Sequence, residues 1–500
     1  MVLLPCLLTG AVPSVQGKRV EIFPRMCYTY FYTIEVSVGS CPPCISAGQK
    51  KGAFSMKYRR MMACLFAALT LAALSGCQTG TGDSSAPVSE ESASVSDPVS
   101  EPSASSESAE QQGLPELTAE EKLEEFDFLC GFLDEAYPYW PDVEAIGVDK
   151  EAVYDEYRQR VEQPEDTLSY FNELYAFFRA LGGFGHLGAV DGNSYQIYLS
   201  TYRMLKESGS LSGYHQMTLD TLEQPAVAET YALLDPSGSG FRLKDTSAET
   251  PESSGEPAAS SAGTPSQLSW NVWTNGIAYL KIPSFMTEYY ETDGEEVAEL
   301  LERFRDSENL ILDIRGNGGG NSLYWLDYLV RPNAKTDLTS EAYYLYRMND
   351  YTLDYAEAVS SQLMDISQCP LPVDTGFFTH YVLDRMEIPA AEDPYQGKIW
   401  LLVDGGVASA AEEFAMFCQS SGFATLVGSR TYGDNPYGTP PVYALPDSGF
   451  LFRMGTFYGL NPDGSSNQLN GTTPDILVPA KEDALDYCIS VIKGEVSVAD

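Results

Sequence analysis

Two apolar segments of this chain each run directly into a glycine-rich stretch, and this feature restricts the possible folds most. Residues 310–314 (LILDI) lead into 315–321 (RGNGGGN), and residues 399–403 (IWLLV) lead into Gly405 and Gly406. Short continuous apolar runs are typical of strands covered on both faces of a sheet. Glycines let the backbone turn tightly and present bare N–H groups to a bound oxygen. Each segment is therefore predicted to be a buried strand, and the loop at 315–321 to be a phosphate cradle or an oxyanion hole.

Spacing and charge exclude several classes of protein. No Gly-Lys-Ser/Thr follows 315–321, which excludes a P-loop, and the pattern is not GxGxxG, which disfavours a dinucleotide-binding fold. With 30 basic and 71 acidic residues, the net charge is -41. Nucleic acid is not an expected partner, because holding its phosphates needs Lys and Arg. The chain has only 3 histidines, and we expect no metal site and no organic cofactor.

From residue 270 onward the pattern alternates between strand and helix. Predicted strands cover 277–282, 310–314, 399–403 and 425–427, predicted helices cover 288–306 and 409–421, and a hairpin joins 442–445 to 450–454. The predicted fold class is therefore α/β (mixed α+β), with the core domain at 270–495.

The region before this domain has a different pattern. Thr118 and Glu121 fit a capping box, and helical spacing of apolar residues continues at 149–162 and 167–181. We therefore predict an N-terminal helical domain at 115–190. Residues 191–269 are predicted to be irregular, with a disordered Ser/Glu/Pro/Ala insertion at 245–266.

The N-terminal part is typical of a secreted lipoprotein. Residues 56–77 contain a basic start, a short apolar run and the ending Leu-Ser-Gly-Cys, which looks like a bacterial lipobox with Cys77 as the lipidated residue. Residues 1–55 are interpreted as an upstream extension from a wrongly assigned start of the gene, with Met56 as the true start. Residues 78–114 are interpreted as a disordered linker. An uncleaved anchor, and a redox or metal role for the CxxC at 41–44, are the alternatives. The expected location is outside the cytoplasm, on the membrane of a bacterial cell by a lipid anchor.

Two side chains are candidates for catalysis. Ser409 follows the second glycine turn at a predicted helix start, where N–H groups and the helix dipole favour negative charge on an oxygen. Taken alone, a serine in this position is more often simply a helix cap. His186 lies among four glycines in GGFGHLG (182–188), where it has no obvious packing role; alone, it could be a surface histidine.

Together these motifs resemble the serine peptidases that include C-terminal processing (tail-specific) proteases and tricorn protease. The resemblance extends over most of 120–480 and includes 276–285 (GIAYLKIPSF) and 473–478 (TPDILV). It implies a ClpP/crotonase-like core with the nucleophile at Ser409. Members often carry a PDZ module, for which 190–268 is too short.

The sequence also departs from this family. Where the Ser–Lys members have lysine in a Thr-Tyr/Phe-Gly-Lys motif, this chain has Asp434, and a carboxylate cannot mimic a neutral amine base. The tricorn-like branch uses a histidine that matches His186, but this chain has Gly185 in place of that branch's preceding serine. It also has no acid at 467–471, where that branch has glutamate. Possible supporting residues are Gln468, Asn470 and Glu412, and the orienting residue stays open.

We therefore expect a serine-type peptidase acting on a peptide or protein substrate through an acyl-enzyme. Ser409 attacks, His186 takes its proton, and the N–H groups of Gly318 and Ala410 hold the oxyanion. One alternative is a catalytically weak or inactive surface lipoprotein of the same fold that binds peptides or another ligand. The other is crotonase-like acyl-CoA chemistry, but an extracytoplasmic lipoprotein would not encounter coenzyme A.

Overall fold

The computed structural model describes residues 113–237, 240–244, 266–360, 362–435 and 437–496. The predictions for 1–55, for the leader ending at Cys77, for most of the linker and for nearly all of the insertion at 245–266 lie outside these ranges. No helix within them is both long enough and apolar enough to cross a membrane.

Helices fill the first half of the described chain and recur between the later strands. The α-helices are α1 Ala119–Ala136, α2 Trp140–Ala145, α3 Lys150–Val161, α4 Thr167–Ala180, α5 Gly192–Glu207, α6 Gly213–Leu222, α7 Pro225–Leu233, α8 Thr287–Arg303, α9 Leu323–Trp325, α10 Leu353–Val359, α11 Ala410–Ser421, α12 Asn467–Asn470 and α13 Ala484–Ile492. A π-helical turn spans Leu326–Val330, and 3-10 turns span Phe184–His186, Arg331–Asn333 and Ile366–Gln368.

The strands form three sheets. They are β1 Gly188–Ala189, β2 Ser269–Trp273, β3 Ile277–Lys281, β4 Asn309–Asp313, β5 Leu338–Tyr346, β6 Met364–Asp365, β7 His380–Ile388, β8 Lys398–Val403, β9 Thr425–Gly428, β10 Val442–Ala444, β11 Leu451–Arg453, β12 Phe457–Leu460 and β13 Ile476–Leu477. The central sheet has the order β13-β9-β8-β4-β3-β2, the second β12-β5-β7-β6 and the third β1-β11-β10. In the central sheet β2 pairs antiparallel with β3, and all other neighbouring strands pair parallel.

Both faces of the central sheet are covered, as its unbroken apolar strands require. Along β4, Leu310 and Leu312 pack with α8 and α11, whereas Ile311 faces the opposite layer with Trp400 and the buried Cys488 of α13. The mixed α/β fold class is confirmed. Because these strands are parallel, the loops after β4 and β8 leave the same edge of the sheet, and the candidate site lies there.

The region before the core is helical, and the capping box of Thr118 and Glu121 is formed. The prediction that 191–269 is irregular was wrong for its first part, because α5, α6 and α7 occupy 192–233. These helices bury Tyr195, Leu219 and Tyr231 in one apolar cluster with α1, α4 and strands β10 and β11. Strand β1 pairs antiparallel with β11, and this pairing ties the N-terminal part to the core.

Candidate functional site

Ser409 lies in a strained turn between β8 and α11. Its backbone has φ 56 and ψ -125, and its side chain makes no capping hydrogen bond to the helix. A non-glycine residue in this region costs on the order of 1–3 kcal/mol and persists only when its surroundings hold it there. The alternative that Ser409 is an ordinary helix cap therefore has no support in the contacts of this turn.

The glycine-rich loop after β4 packs directly against this turn. A Cβ at Gly319 would lie 2.9 Å from Ser409 Cβ and 2.8 Å from Ala410 N, so only glycine allows this approach. Asp404 Oδ1 accepts hydrogen bonds from both Gly316 N and Gly406 N, each at 2.9 Å, and so joins the two glycine turns.

The N–H groups of Gly318, in this loop, and of Ala410, the first residue of α11, remain available. Gly319 N donates to Asn317 Oδ1 at 2.9 Å and Ser409 N donates to the Gly433 carbonyl at 3.4 Å, so these two amides are occupied. Across the described ranges, neither Gly318 N nor Ala410 N donates a hydrogen bond. Two free donors beside a serine are what an oxyanion hole requires.

His186 ends a 3-10 turn immediately before β1, and its loop is fixed from two sides. Gly185 N donates to Gln468 Oε1 at 2.9 Å, and Gly455 N donates to the Gly185 carbonyl at 2.7 Å. His186 itself has φ 59, and its side chain is 17% exposed.

The ring of Tyr139 explains the absence of a serine before this histidine. A Cβ at Gly185 would lie 2.0 Å from Tyr139 Cε2. Any side chain at position 185 would therefore collide with a buried aromatic ring.

Asp434 contacts the imidazole. The distance from His186 Nε2 to Asp434 Oδ2 is 3.5 Å, and the Asp434 side chain is 12% exposed. Gly433, the preceding residue, is the one whose carbonyl accepts the Ser409 N–H. Two consecutive residues thus contact Ser409 and His186, which brings the nucleophile and base candidates to one place. Sequence reasoning rejected Asp434 as a base and overlooked it as the partner of the histidine.

Burial and Arg453 determine the charges in this site. Burial, together with the positive charge of Arg453, lowers the pKa of His186 to about 3. Burial is the main reason that the pKa of Asp434 is raised to about 7, with Arg453 opposing the rise and Glu412 contributing to it. Arg453 lies on β11, and its guanidinium donates to Tyr198 Oη at 2.6 Å. The histidine is therefore neutral at pH 7, as a general base must be.

The three supporting candidates form hydrogen bonds to groups around the site. Gln468 holds Gly185, as described above, and the Asn470 amide donates to the Ser466 carbonyl at 3.0 Å. Glu412 is fully buried, and its Oε1 accepts from Asn467 Nδ2 at 2.8 Å and Thr472 Oγ1 at 2.7 Å. None of the three makes a hydrogen bond to the imidazole.

Asn467 connects Glu412 to the Asp434 loop. Its Oδ1 accepts from Asn435 N at 3.2 Å, while its amide donates to Glu412. Helix α11, which begins after Ser409, is thereby joined to the loop that holds Asp434.

The middle of the chain matches a known family. Residues 276–478 match the family model described as peptidase family S41, and over this part the chain is similar to that family. This is the family of processing and tail-specific proteases that the motifs resemble. Matched residues include β3, the glycine-rich loop, Ser409 and Asp434, whereas His186 lies before the matched region.

Individual relatives are similar over parts of their length. Over 99 residues the chain is 34% identical to the carboxy-terminal-processing protease of Bartonella bacilliformis, covering 19% of this chain and 22% of that protein. Over 220 residues it is 27% identical to the tail-specific protease of Haemophilus influenzae, covering 42% and 26%. The chain thus spans about a quarter of the length of these curated relatives. The solved structure of mature CPAF is 16% identical, with a TM-score of 0.46, and the match covers 75% of this chain and 98% of that one.

Proposed function

We propose that this protein is a serine-type peptidase that hydrolyses peptide bonds through an acyl-enzyme on Ser409, with His186 as the base. The observation that carries this proposal is the arrangement around Ser409. A strained serine that caps no helix lies against a glycine loop with two free N–H groups. The match of 276–478 to peptidase family S41 supports peptidase chemistry. The substrate is then a peptide or protein, in keeping with the names of the relatives.

The proposed reaction follows from these groups. Ser409 Oγ attacks the scissile carbonyl while His186 takes its proton, and the N–H groups of Gly318 and Ala410 bind the oxyanion of the tetrahedral intermediate. The intermediate collapses, and the protonated imidazole gives its proton to the leaving amine. A water molecule, deprotonated by His186, then hydrolyses the acyl-enzyme and restores the serine.

Labelling with a fluorophosphonate tests this assignment, because only an activated serine reacts with it. The wild type should be labelled, and both Ser409→Ala and His186→Ala should reduce labelling to background. Ser212→Ala is the matched control, because Ser212 is an ordinary helix cap whose side chain accepts from His215 N. Its labelling should equal that of the wild type. Absence of wild-type labelling would refute the peptidase proposal and favour the non-catalytic binding protein.

We also propose that the mature protein is attached to the outside of a bacterial cell membrane through lipid on Cys77. The support is the sequence pattern of 56–77. A clickable fatty acid fed to cells expressing the chain should label the wild type and not Cys77→Ser. Cys64→Ser, within the apolar run, is the control that should keep the label. Equal labelling of the Cys77 variant would refute the anchor.

A further inference from the structure

We propose that Asp434 orients His186 and stabilises its imidazolium form, so that the site is a Ser409–His186–Asp434 triad. This inference rests on the proposed function and adds the group that the sequence left unassigned. It also gives a role to the residue that replaces the lysine of the Ser–Lys members. Asp434 acts through His186 and is therefore a positioning residue.

The first argument is that the two groups lack other partners. Within the described chain, Asp434 Oδ1 and His186 Nε2 are both buried and make no hydrogen bond. A buried polar atom without a partner destabilises the folded state. The contact of 3.5 Å between His186 Nε2 and Asp434 Oδ2 is slightly longer than a hydrogen bond. Catalytic hydrogen bonds are often long in free enzymes and tighten when substrate binds.

The second argument is backbone strain. Among the non-glycine residues of the described ranges, positive φ occurs at His186 (59°), Ser409 (56°) and Asp434 (63°). These three positions are far apart in sequence, yet they meet at one site. Strain of this kind persists only where the surrounding structure holds the residue in place, and strained residues cluster at active sites. The strain at Asp434 therefore groups it with the nucleophile and the base.

The third argument is that no other side chain in the described ranges makes a hydrogen bond to the imidazole. The Gln468 and Asn470 side chains bond backbone groups, and Glu412 bonds Asn467 and Thr472. The other charged and titratable groups that act on Asp434 come from three directions. They are Arg453 on β11, Glu412 on α11, and Tyr137 and Tyr139 beside α2, in addition to Tyr432 on the same loop as Asp434.

This geometry fixes the role of each ring nitrogen. Since Nε2 faces Asp434, the neutral ring carries its hydrogen on Nε2, and Nδ1 is free to take the Ser409 proton. Nδ1 makes no hydrogen bond to any residue of the described chain. When the proton arrives at Nδ1, the ring becomes a cation and the adjacent carboxylate stabilises it.

The first test compares labelling rates of the wild type, Asp434→Asn, Asp434→Glu and a control, Asp384→Asn. Asp384 is a carboxyl outside the triad whose pKa is also raised by burial. Asp434→Asn should slow fluorophosphonate labelling on the order of 10²–10⁴-fold, the range seen when a triad loses its carboxylate. Asp434→Glu should recover part of that loss, and Asp384→Asn should match the wild type. An Asp434→Asn variant labelled at the wild-type rate would overturn the proposal while leaving the peptidase assignment intact.

The pH dependence separates positioning from a merely structural role. Burial raises the pKa of Asp434 to about 7, so wild-type labelling should rise as the pH increases through that region and the carboxylate forms. In Asp434→Asn this rise should disappear between pH 5 and 8, because burial keeps the imidazole neutral throughout. A slow variant that keeps the wild-type profile would contradict the proposal.

The second test does not depend on activity. The chain has only 3 histidines, so nitrogen NMR on ¹⁵N-histidine protein can resolve His186, with His186→Ala giving the assignment. His186 should be the Nε2–H tautomer in the wild type, and Asp434→Asn should change its nitrogen shifts. An Nδ1–H tautomer that Asp434→Asn leaves unchanged would overturn the proposal, even in a protein that no fluorophosphonate labels.

Discussion

Replacing Gly185 with alanine should destabilise the protein through a single collision. Gly185 has φ +58, and a Cβ there would lie 2.0, 2.5 and 2.6 Å from three ring carbons of Tyr139. Tyr139 is 1% exposed, and its hydroxyl donates to the Phe457 carbonyl at 2.9 Å, so the ring has little room to move. Alanine at this position therefore meets both an unfavourable backbone conformation and a fixed ring.

The magnitude follows from these two effects. A left-handed backbone costs an L-residue about 1–2 kcal/mol, and overpacking a well-filled core costs about 1–3 kcal/mol. Gly185→Ala should thus lower the free energy of unfolding by about 2–5 kcal/mol. Gly183→Ala is the matched control, because Gly183 has φ +68 but its nearest neighbour, the Leu187 carbonyl oxygen, lies at 3.4 Å. It should lose only the backbone part, about 1–2 kcal/mol.

Chemical denaturation of both variants measures this difference, and a Tyr139→Leu background isolates its cause. In that background the additional cost of Gly185→Ala should fall to that of Gly183→Ala, which is the coupling expected between two residues in contact. Fluorophosphonate labelling of Gly185→Ala should also slow, since the collision displaces His186. Equal stability of Gly185→Ala and Gly183→Ala in the wild-type background would refute the reasoning.

Three further outcomes are expected. Burial raises the pKa of Glu413 to about 7 and of Asp142 to about 6. Because the native state then binds more protons than the unfolded chain, Tm should fall as the pH rises from 5 to 8. Glu413→Gln should make this dependence of Tm on pH less steep. A Tm that rises over this range would contradict the burial argument. Glu412→Ala removes the acceptor of the buried Thr472 hydroxyl and one of the two oxygen acceptors of the Asn467 amide, which also donates to Asn461 Oδ1. Denaturation should therefore show a loss of about 1–3 kcal/mol, with Glu412→Gln losing less. Equal losses would show that the acceptor is unimportant. Tyr432 is 53% exposed beside Gly433 and offers an apolar surface near Ser409. Tyr432→Ala should therefore raise KM for peptides with little change in Tm. An unchanged KM would show that Tyr432 does not contribute to substrate binding.

Much of the core could be predicted because its strands and helices are strongly patterned. The run at 310–314 became β4 at Asn309–Asp313, and the predicted helix at 409–421 became α11 at Ala410–Ser421. The hairpin at 442–454 formed between β10 and β11. In each case the local pattern agrees with the tertiary environment, so propensity and burial favour the same structure.

The errors have physical causes. Helix α5 buries Tyr195, Leu199 and Tyr202 at helical spacing behind an Asp191 cap, so its signal was present, but the nearby insertion made the whole of 191–269 look irregular. The second sheet was not predicted, because its strand β5 alternates in burial only partly.

The contact between His186 and Asp434 joins positions far apart in sequence, and no local pattern encodes such a contact. The position of Asp434 did contain a signal. Asp434 stands where the Ser–Lys members have their lysine base, so its position in the sequence already indicated a place near the nucleophile.

The pairing of β1 with β11 has a consequence for how this protein can be divided. The histidine precedes a two-residue strand that completes a sheet of the core, while the serine belongs to the region matched by the family model. A fragment beginning at residue 276 would retain the nucleophile, the glycine loop and Asp434, yet lack the base. Cleavage of the chain between β1 and β2 would leave His186 held in place by the pairing of β1 with β11 and by packing, so that the proposed activity would depend on non-covalent assembly of two pieces.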